Sequence, residues 1–175
     1  MGIRKNEKIR IEVDSQGNKM VVLSQILFQG KRSISWNAVE EYLRQYVGRM
    51  VEIAETGDIV YIGNDFANEF AGSVYTHSLR GGLAKAKANM AQGIPELIEI
   101  ATQKRWNEDF ERKHGKKAQK GWYRYNTRFA LPVMGEDGIT KYNKYQAVLI
   151  IRYASDDKLY LYDIQNIKKE TSNPP

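Results

Sequence analysis

Three long segments near the end of the chain alternate apolar and polar side chains, and they constrain the fold more than any other feature. They cover residues 121–133, 142–153 and 158–167. A period of two is typical of a strand that has one buried and one solvated face. The turn-forming stretches 135–138 (GEDG) and 155–158 (SDDK) separate the segments. Connections this short force antiparallel pairing, so the sequence predicts an antiparallel sheet.

The alternation also assigns the two faces of that sheet. Tyr125, Phe129 and Leu149 belong to an apolar face, which we expect to pack on helices between residues 82 and 102. The opposite face is mixed and carries a set of cationic and amide side chains: Arg124, Asn126, Arg128, Lys144, Gln146 and Arg152.

The earlier parts of the chain predict smaller elements. Residues 9–13 and 19–23 read as a β-hairpin, and residues 51–54 and 59–62 as a short strand pair. A helix begins near Ser35 or Asn37 and ends near Gly48, since apolar residues recur at helical spacing between them. Residues 82–91 and 94–101 favour helix, and residues 112–121 form a polar, basic loop.

Together these elements predict an α+β fold with an antiparallel C-terminal sheet of three to four strands. Residues 1–71 are either a subdomain or part of a single domain. Residues 72–170 hold the helices and the sheet, and residues 171–175 form a disordered tail.

The excess of positive over negative charge is confined to the middle of the chain. Residues 72–132 hold 12 Lys and Arg against 5 Asp and Glu, whereas residues 1–71 hold 9 against 10 and residues 133–175 hold 6 against 6. A concentrated field attracts a polyanion better than the same charge spread over the surface. Nucleic acid is therefore the first partner that the sequence indicates.

Composition and motifs exclude several other classes. The chain has no cysteine, so disulfides, thiolate metal sites and cysteine nucleophiles are ruled out. It shows no hydrophobic signal core and no apolar run of about 20 residues, which favours a cytoplasmic protein. Its acids lie in turns, and its glycines lack nucleotide-binding spacing, so we expect neither a metal nor a cofactor.

Three residues are candidates for phosphodiester chemistry. Arg124 and Arg128 lie four apart on one predicted strand, about 13 Å, so one would stabilise charge at a scissile phosphate while the other positions the backbone. His77, in the run YTHSLR, could transfer a proton. The alternatives are an ordinary solvated sheet face for the arginines, and a helix cap or simple phosphate binding for the histidine run.

Further residues are candidates for binding the nucleic-acid backbone or stacking on bases. They are Arg80, Lys85, Lys116, Lys117, Lys120, Trp122, Lys144 and Arg152. His114 lies in the basic loop, where an electrostatic tether is the better interpretation.

Residues from about 19 to 170 also resemble a known group of domains. The resemblance rests on KMVVL leading to ILFQGK, on WNAVEEYLRQYVG, DIVYIG, YTHSL and AKANMAQGIPELIEIA, and on GWYRY and the closing YLYDIQNIKKE. These segments are similar to domains associated with large polyvalent proteins of phages and of integrative conjugative elements in Firmicutes. Some of those domains are grouped with the barnase/EndoU/colicin/RelE-like ribonuclease fold.

The resemblance implies a ribonuclease-like ancestry with two N-terminal helices before a four-stranded antiparallel sheet. In barnase-like members a carboxylate base acts with His and Arg, but no Glu is expected on the mixed face here. The RelE-like pattern, with Arg and Lys and few acids, fits better.

Three functional hypotheses follow, of which the third is a structural or DNA-processing accessory of conjugation. The first is a nucleic-acid-binding protein of a mobile element, with RNA favoured as ligand and metal-independent RNA cleavage as its catalytic form. The second is a non-catalytic module of anti-restriction or anti-CRISPR type that counteracts host defence by blocking a host nucleic-acid-binding complex. Cleavage as described requires His77 to lie within reach of Arg124 or Arg128.

Overall fold

A computed structural model describes residues 8–30, 33–107, 120–138 and 140–171. The strands in this part of the chain are β1 (Ile9–Val13), β2 (Lys19–Leu23), β3 (Met50–Glu52), β4 (Ile59–Tyr61), β5 (Thr102–Asn107), β6 (Gly121–Met134), β7 (Thr140–Tyr153) and β8 (Leu159–Lys169). The α-helices are α1 (Trp36–Leu43), α2 (Phe66–Gly72), α3 (Val74–Ser78), α4 (Gly81–Met90) and α5 (Ile94–Glu99). The α+β class is therefore confirmed.

All eight of these strands join one sheet. Its order is β1-β2-β6-β7-β8-β4-β3, and β5 pairs with β6 beside this path. Most pairs are antiparallel, while β2–β6 and β4–β8 are short parallel contacts. The predicted three to four strands were too few, because strands from residues 1–71 extend the C-terminal sheet on both sides.

The three long strands are confirmed as the centre of the sheet. Strands β6 and β7 pair antiparallel along their whole length, from Gly121 opposite Tyr153 to Met134 opposite Thr140. Tyr125 and Phe129 are buried in the main core, as the alternation predicts. That core also contains apolar side chains of α1, α2, α4 and α5, so the helices cover one face of the sheet.

Several smaller elements lie where local sequence patterns predicted them. The hairpin of β1 and β2 has the predicted bounds. Ser35 precedes α1, and its Oγ accepts a hydrogen bond from the backbone N–H of Ala38 at 3.3 Å, which caps the helix. Helices α4 and α5 occupy the segments predicted to be helical, with Pro95 in the first turn of α5.

Helices α2 and α3 and strand β5 were not predicted. The two helices have 7 and 5 residues, too few for a helical period to show. They pack beside β8 where it extends past β4, and Tyr75 of α3 accepts a hydrogen bond from the backbone N–H of Ile167 at 2.9 Å. The edge of β8 is thereby covered.

Candidate nucleic-acid interface

The mixed face of the sheet contains a polar cleft of about 660 Å³. It lies where β5, β6, β7 and β8 meet the turn of the β1–β2 hairpin. Its lining is mainly cationic and amide side chains with one carboxylate: Gln16, Asn18, Lys19, Gln103, Arg105, Asn126, Arg128, Gln146, Asn166, Lys168 and Glu170. We call this site the cleft.

Two arginines lie side by side at the cleft's β5–β6 end. Arg105 of β5 pairs directly opposite Arg124 of β6. Burial, followed by the charge of Arg105, lowers the pKa of Arg124. Like charges directly opposite each other repel, and the pairing concentrates positive charge at this end of the cleft. Arg105 was missed by sequence reasoning because β5 was not predicted.

Arg105 is also held in place by its neighbours. Its guanidinium donates hydrogen bonds to the backbone oxygen of Gln103 and to Oδ1 of Asn126, both at 2.9 Å. Asn126 in turn donates through Nδ2 to Oε1 of Gln103 at 3.1 Å. The chain therefore presents Arg105 in a defined orientation although the side chain is exposed.

Arg128, one of the proposed catalytic residues, forms an internal clamp. Its guanidinium donates two hydrogen bonds to the carboxylate of Glu170, at 2.9 and 3.1 Å, and one to Asp14 at 3.2 Å. These bonds tie β6 to the hairpin turn and to the end of β8. The expectation that no Glu lies on the mixed face was wrong, because Glu170 follows directly after β8 and reaches this face.

The clamp also changes the acidity of its partner. Hydrogen bonding by the guanidinium of Arg128 lowers the pKa of Glu170, although burial opposes this effect. The charge of Arg128 is therefore largely neutralised within the fold, and its geometry indicates a structural role.

His77 does not lie with the two predicted arginines. It is exposed on α3, which packs against the outer edge of β8. Strands β8 and β7 separate that edge from β6, and neighbouring strands lie roughly 4.8 Å apart. The structure therefore does not assemble His77 with Arg124 or Arg128 at one phosphate.

The predicted binding residues of the C-terminal sheet divide into buried and accessible ones. Trp122 has no exposed surface and packs edge-on against Tyr162, with ring centroids 4.9 Å apart, so it is not accessible for base stacking. Arg152 lies over the ring of Tyr160, with its guanidinium carbon 5.0 Å from the centroid. Lys144 is exposed on the same face as the cleft.

The remaining predicted cations lie away from the cleft or outside the described residues. Lys120 pairs with Asp157 in the β7–β8 turn. Arg80 donates to the backbone oxygens of His77 and Leu79, both at 2.8 Å, and Lys85 is half-buried on α4. Lys116, Lys117 and His114, and residues 172–175 of the predicted tail, lie outside the described residues.

A second charged group is buried beneath the helices. Nζ of Lys87 donates to Oδ1 of Asp163 at 2.8 Å and to Oγ1 of Thr76 at 2.7 Å, and both charged side chains are fully buried. The rings of Phe70 and Tyr75 lie 4.5 and 5.0 Å from the same nitrogen. Burial lowers the pKa of Lys87. This closed arrangement has the form of a structural ion pair.

Within the described ranges, no three His, Asp or Glu side chains gather so as to hold a metal ion. No helix in the same ranges is long and apolar enough to cross a membrane.

Comparison of the chain with protein-family models, with curated proteins and with solved structures gives no match. The resemblance to mobile-element domains therefore stays a prediction.

Proposed function

We propose that this chain binds single-stranded nucleic acid, with RNA as the favoured ligand, on the mixed face of its sheet around the cleft. The observation that carries the proposal is the exposed and oriented guanidinium of Arg105 among the cationic and amide side chains that line the cleft. A phosphodiester backbone would accept hydrogen bonds from these side chains, and their positive charge would attract it.

Neighbouring groups extend this positive surface. Lys144 and Lys168 lie exposed on the adjoining strands, and Arg152 lies further along β7. Among the described residues of the cleft the acids are few, and Glu170 is already bound by Arg128. The surface is therefore suited to a chain of phosphates.

The geometry supports binding better than cleavage. Arg128 is engaged by two carboxylates, and His77 lies beyond β7 and β8. The positions of Arg128 and His77 fit a non-catalytic module of a mobile element, which would occupy or shield nucleic acid. The proposal keeps two further hypotheses. One is the barnase/RelE-like ancestry, and the other is the blocking of a host nucleic-acid-binding complex.

The test is fluorescence anisotropy with a labelled 12-nucleotide RNA of mixed sequence at several salt concentrations. We expect wild-type affinity to fall as salt rises, because bound phosphates release counterions. The variant Arg105→Gln/Lys168→Gln removes two exposed cations of the cleft and should bind at least about tenfold more weakly. Its plot of log K against log salt should be shallower by about 1.4, since each lost phosphate contact on a single strand contributes about 0.7.

A matched control is Arg44→Gln/Arg49→Gln, which removes the same charge from exposed positions near the end of α1. It should bind nearly as the wild type does. Equal loss in both variants, or affinity that is independent of salt, would refute the proposed surface. Incubation of the protein with total RNA in EDTA separates binding from cleavage, and degradation that His77→Ala abolishes would restore the catalytic hypothesis.

A further inference from the structure

The cleft is unusually rich in carboxamide side chains. Six of them line it: Gln16, Asn18, Gln103, Asn126, Gln146 and Asn166. A carboxamide presents a donor and an acceptor side by side, which is the pattern that nucleobase edges also present. A volume of about 660 Å³ is within the range of small-molecule pockets and leaves room for an unstacked base.

The cleft holds no free bidentate cation and no free carboxylate among its described residues, since Lys19 and Lys168 carry a point charge and not the planar fork of an arginine. Guanine is commonly read by a bidentate arginine and cytosine by a carboxylate. Arg128 and Glu170 are bonded to each other, and Arg105 is the proposed phosphate ligand. Adenine is the base that Asn and Gln read through its N6 and N7 atoms.

Several carboxamide groups stay available. Within the described residues, the side chains of Gln16, Asn18 and Asn166 make no hydrogen bond, and Gln103 engages its Oε1 while its Nε2 has no partner. All four of these residues are exposed. The cleft therefore offers donors and acceptors to a ligand.

The backbone holds two of these residues in a left-handed conformation. Gln103 and Asn166 have φ values of 60° and 53°, in a region that residues other than glycine seldom adopt, although Asn does so more often than most. Both lie at register shifts in the ladders, between Thr102 and Arg105 on β5 and opposite the shift from Gln146 to Val148 on β7. Bulges and left-handed residues concentrate where a strand directs a side chain toward a ligand.

We propose that the cleft is an adenine-recognition pocket, in which carboxamides led by Gln103 and Asn166 bind the edge of an unstacked base. This inference rests on the proposed function, since the phosphates bound near Arg105 would deliver the base. It adds that binding distinguishes adenine from pyrimidines, whereas the basic surface by itself does not distinguish bases.

The test compares labelled A8, U8 and C8 RNA in the same anisotropy assay, for wild type and for Gln103→Gly/Asn166→Gly. Glycine removes both carboxamides and accepts the left-handed backbone, so the fold and the net charge are retained. We expect wild type to prefer A8 by roughly fivefold or more, and the variant to prefer it by less than about twofold. The salt dependence should be the same for both proteins, because no charge is removed.

A control removes two exposed carboxamides elsewhere, in Gln45→Ala/Asn68→Ala, and should leave the preference for A8 unchanged. Salt-dependent binding with equal affinity for the three RNAs would overturn the adenine pocket and leave the proposed function standing. A preference for A8 that survives in the glycine variant would overturn it as well. Absence of binding to all three RNAs would refute the proposed function together with the pocket.

Discussion

The buried ion pair of Lys87 and Asp163 gives the sharpest prediction for stability. The substitution Asp163→Asn removes the negative charge and leaves Lys87 enclosed by Thr76 and the rings of Phe70 and Tyr75. Removing one partner of a buried pair destabilises a protein by about 3–5 kcal/mol, because the remaining charge is uncompensated. For a chain of this length each kcal/mol lowers Tm by about 2–4 °C, so the loss should be roughly 6–20 °C.

The reverse substitution should be milder. In Lys87→Met the carboxylate of Asp163 keeps three donors: Ser73 Oγ at 3.1 Å, Gln165 Nε2 at 3.0 Å and the backbone N–H of Ile164 at 2.8 Å. We therefore expect the loss to be about 1–3 kcal/mol. The double variant Lys87→Met/Asp163→Asn should lose less than the sum of the single variants, since neither charge is then left alone.

The assay is urea unfolding followed by far-ultraviolet circular dichroism, with the free energy of unfolding extrapolated to water. Arg44→Gln serves as a control, because its exposed ion pair with Glu40 should contribute no more than about 0.5 kcal/mol. If Asp163→Asn loses less than about 1 kcal/mol of unfolding free energy, the buried pair does not have the proposed role. The same holds if the loss in the double variant equals the sum of the losses in the two single variants.

Two further predictions concern the sheet. Because the pKa of Glu170 is lowered in the folded state, its contribution to stability is complete above about pH 4.5 and is lost as pH falls through the folded-state pKa. Glu170→Gln should therefore be less stable than wild type at pH 7 and approach wild-type stability near pH 3. Urea midpoints of the two proteins that stay a constant distance apart across this pH range would contradict the prediction. Gly121 has a φ of 124°, and a Cβ at this position would overlap the indole of Trp106. Gly121→Ala should therefore lower the free energy of unfolding by about 1–3 kcal/mol, which the same urea titration measures.

Much of the fold could be predicted because its signals are local. The alternation in β6, β7 and β8 depends on neighbours two residues apart, and the cap at Ser35 on a residue three positions later. Such patterns persist whatever the rest of the chain does. They also placed Arg124 and Lys144 on one face of the sheet.

The candidate site was predicted less completely, because it is assembled from distant segments. Arg128 meets Glu170 across 42 residues and Asp14 across 114 residues. Neither separation leaves a periodic signal, so the sequence presented Arg128 as a free cation. Because β5 was not predicted, its pairing with β6, which sets Arg105 opposite Arg124, could not be predicted either.

Side-chain period and composition were enough to predict β6, β7 and β8, the polar face of the central sheet and the segment where net positive charge is concentrated. Which charges stay available could be read from the fold alone. It neutralised Arg128, buried Trp122 and Lys87, and set His77 beside the outer edge of β8. A charge is available only if its neighbours in space leave it so, and the pairing of β5 through β8 selects those neighbours.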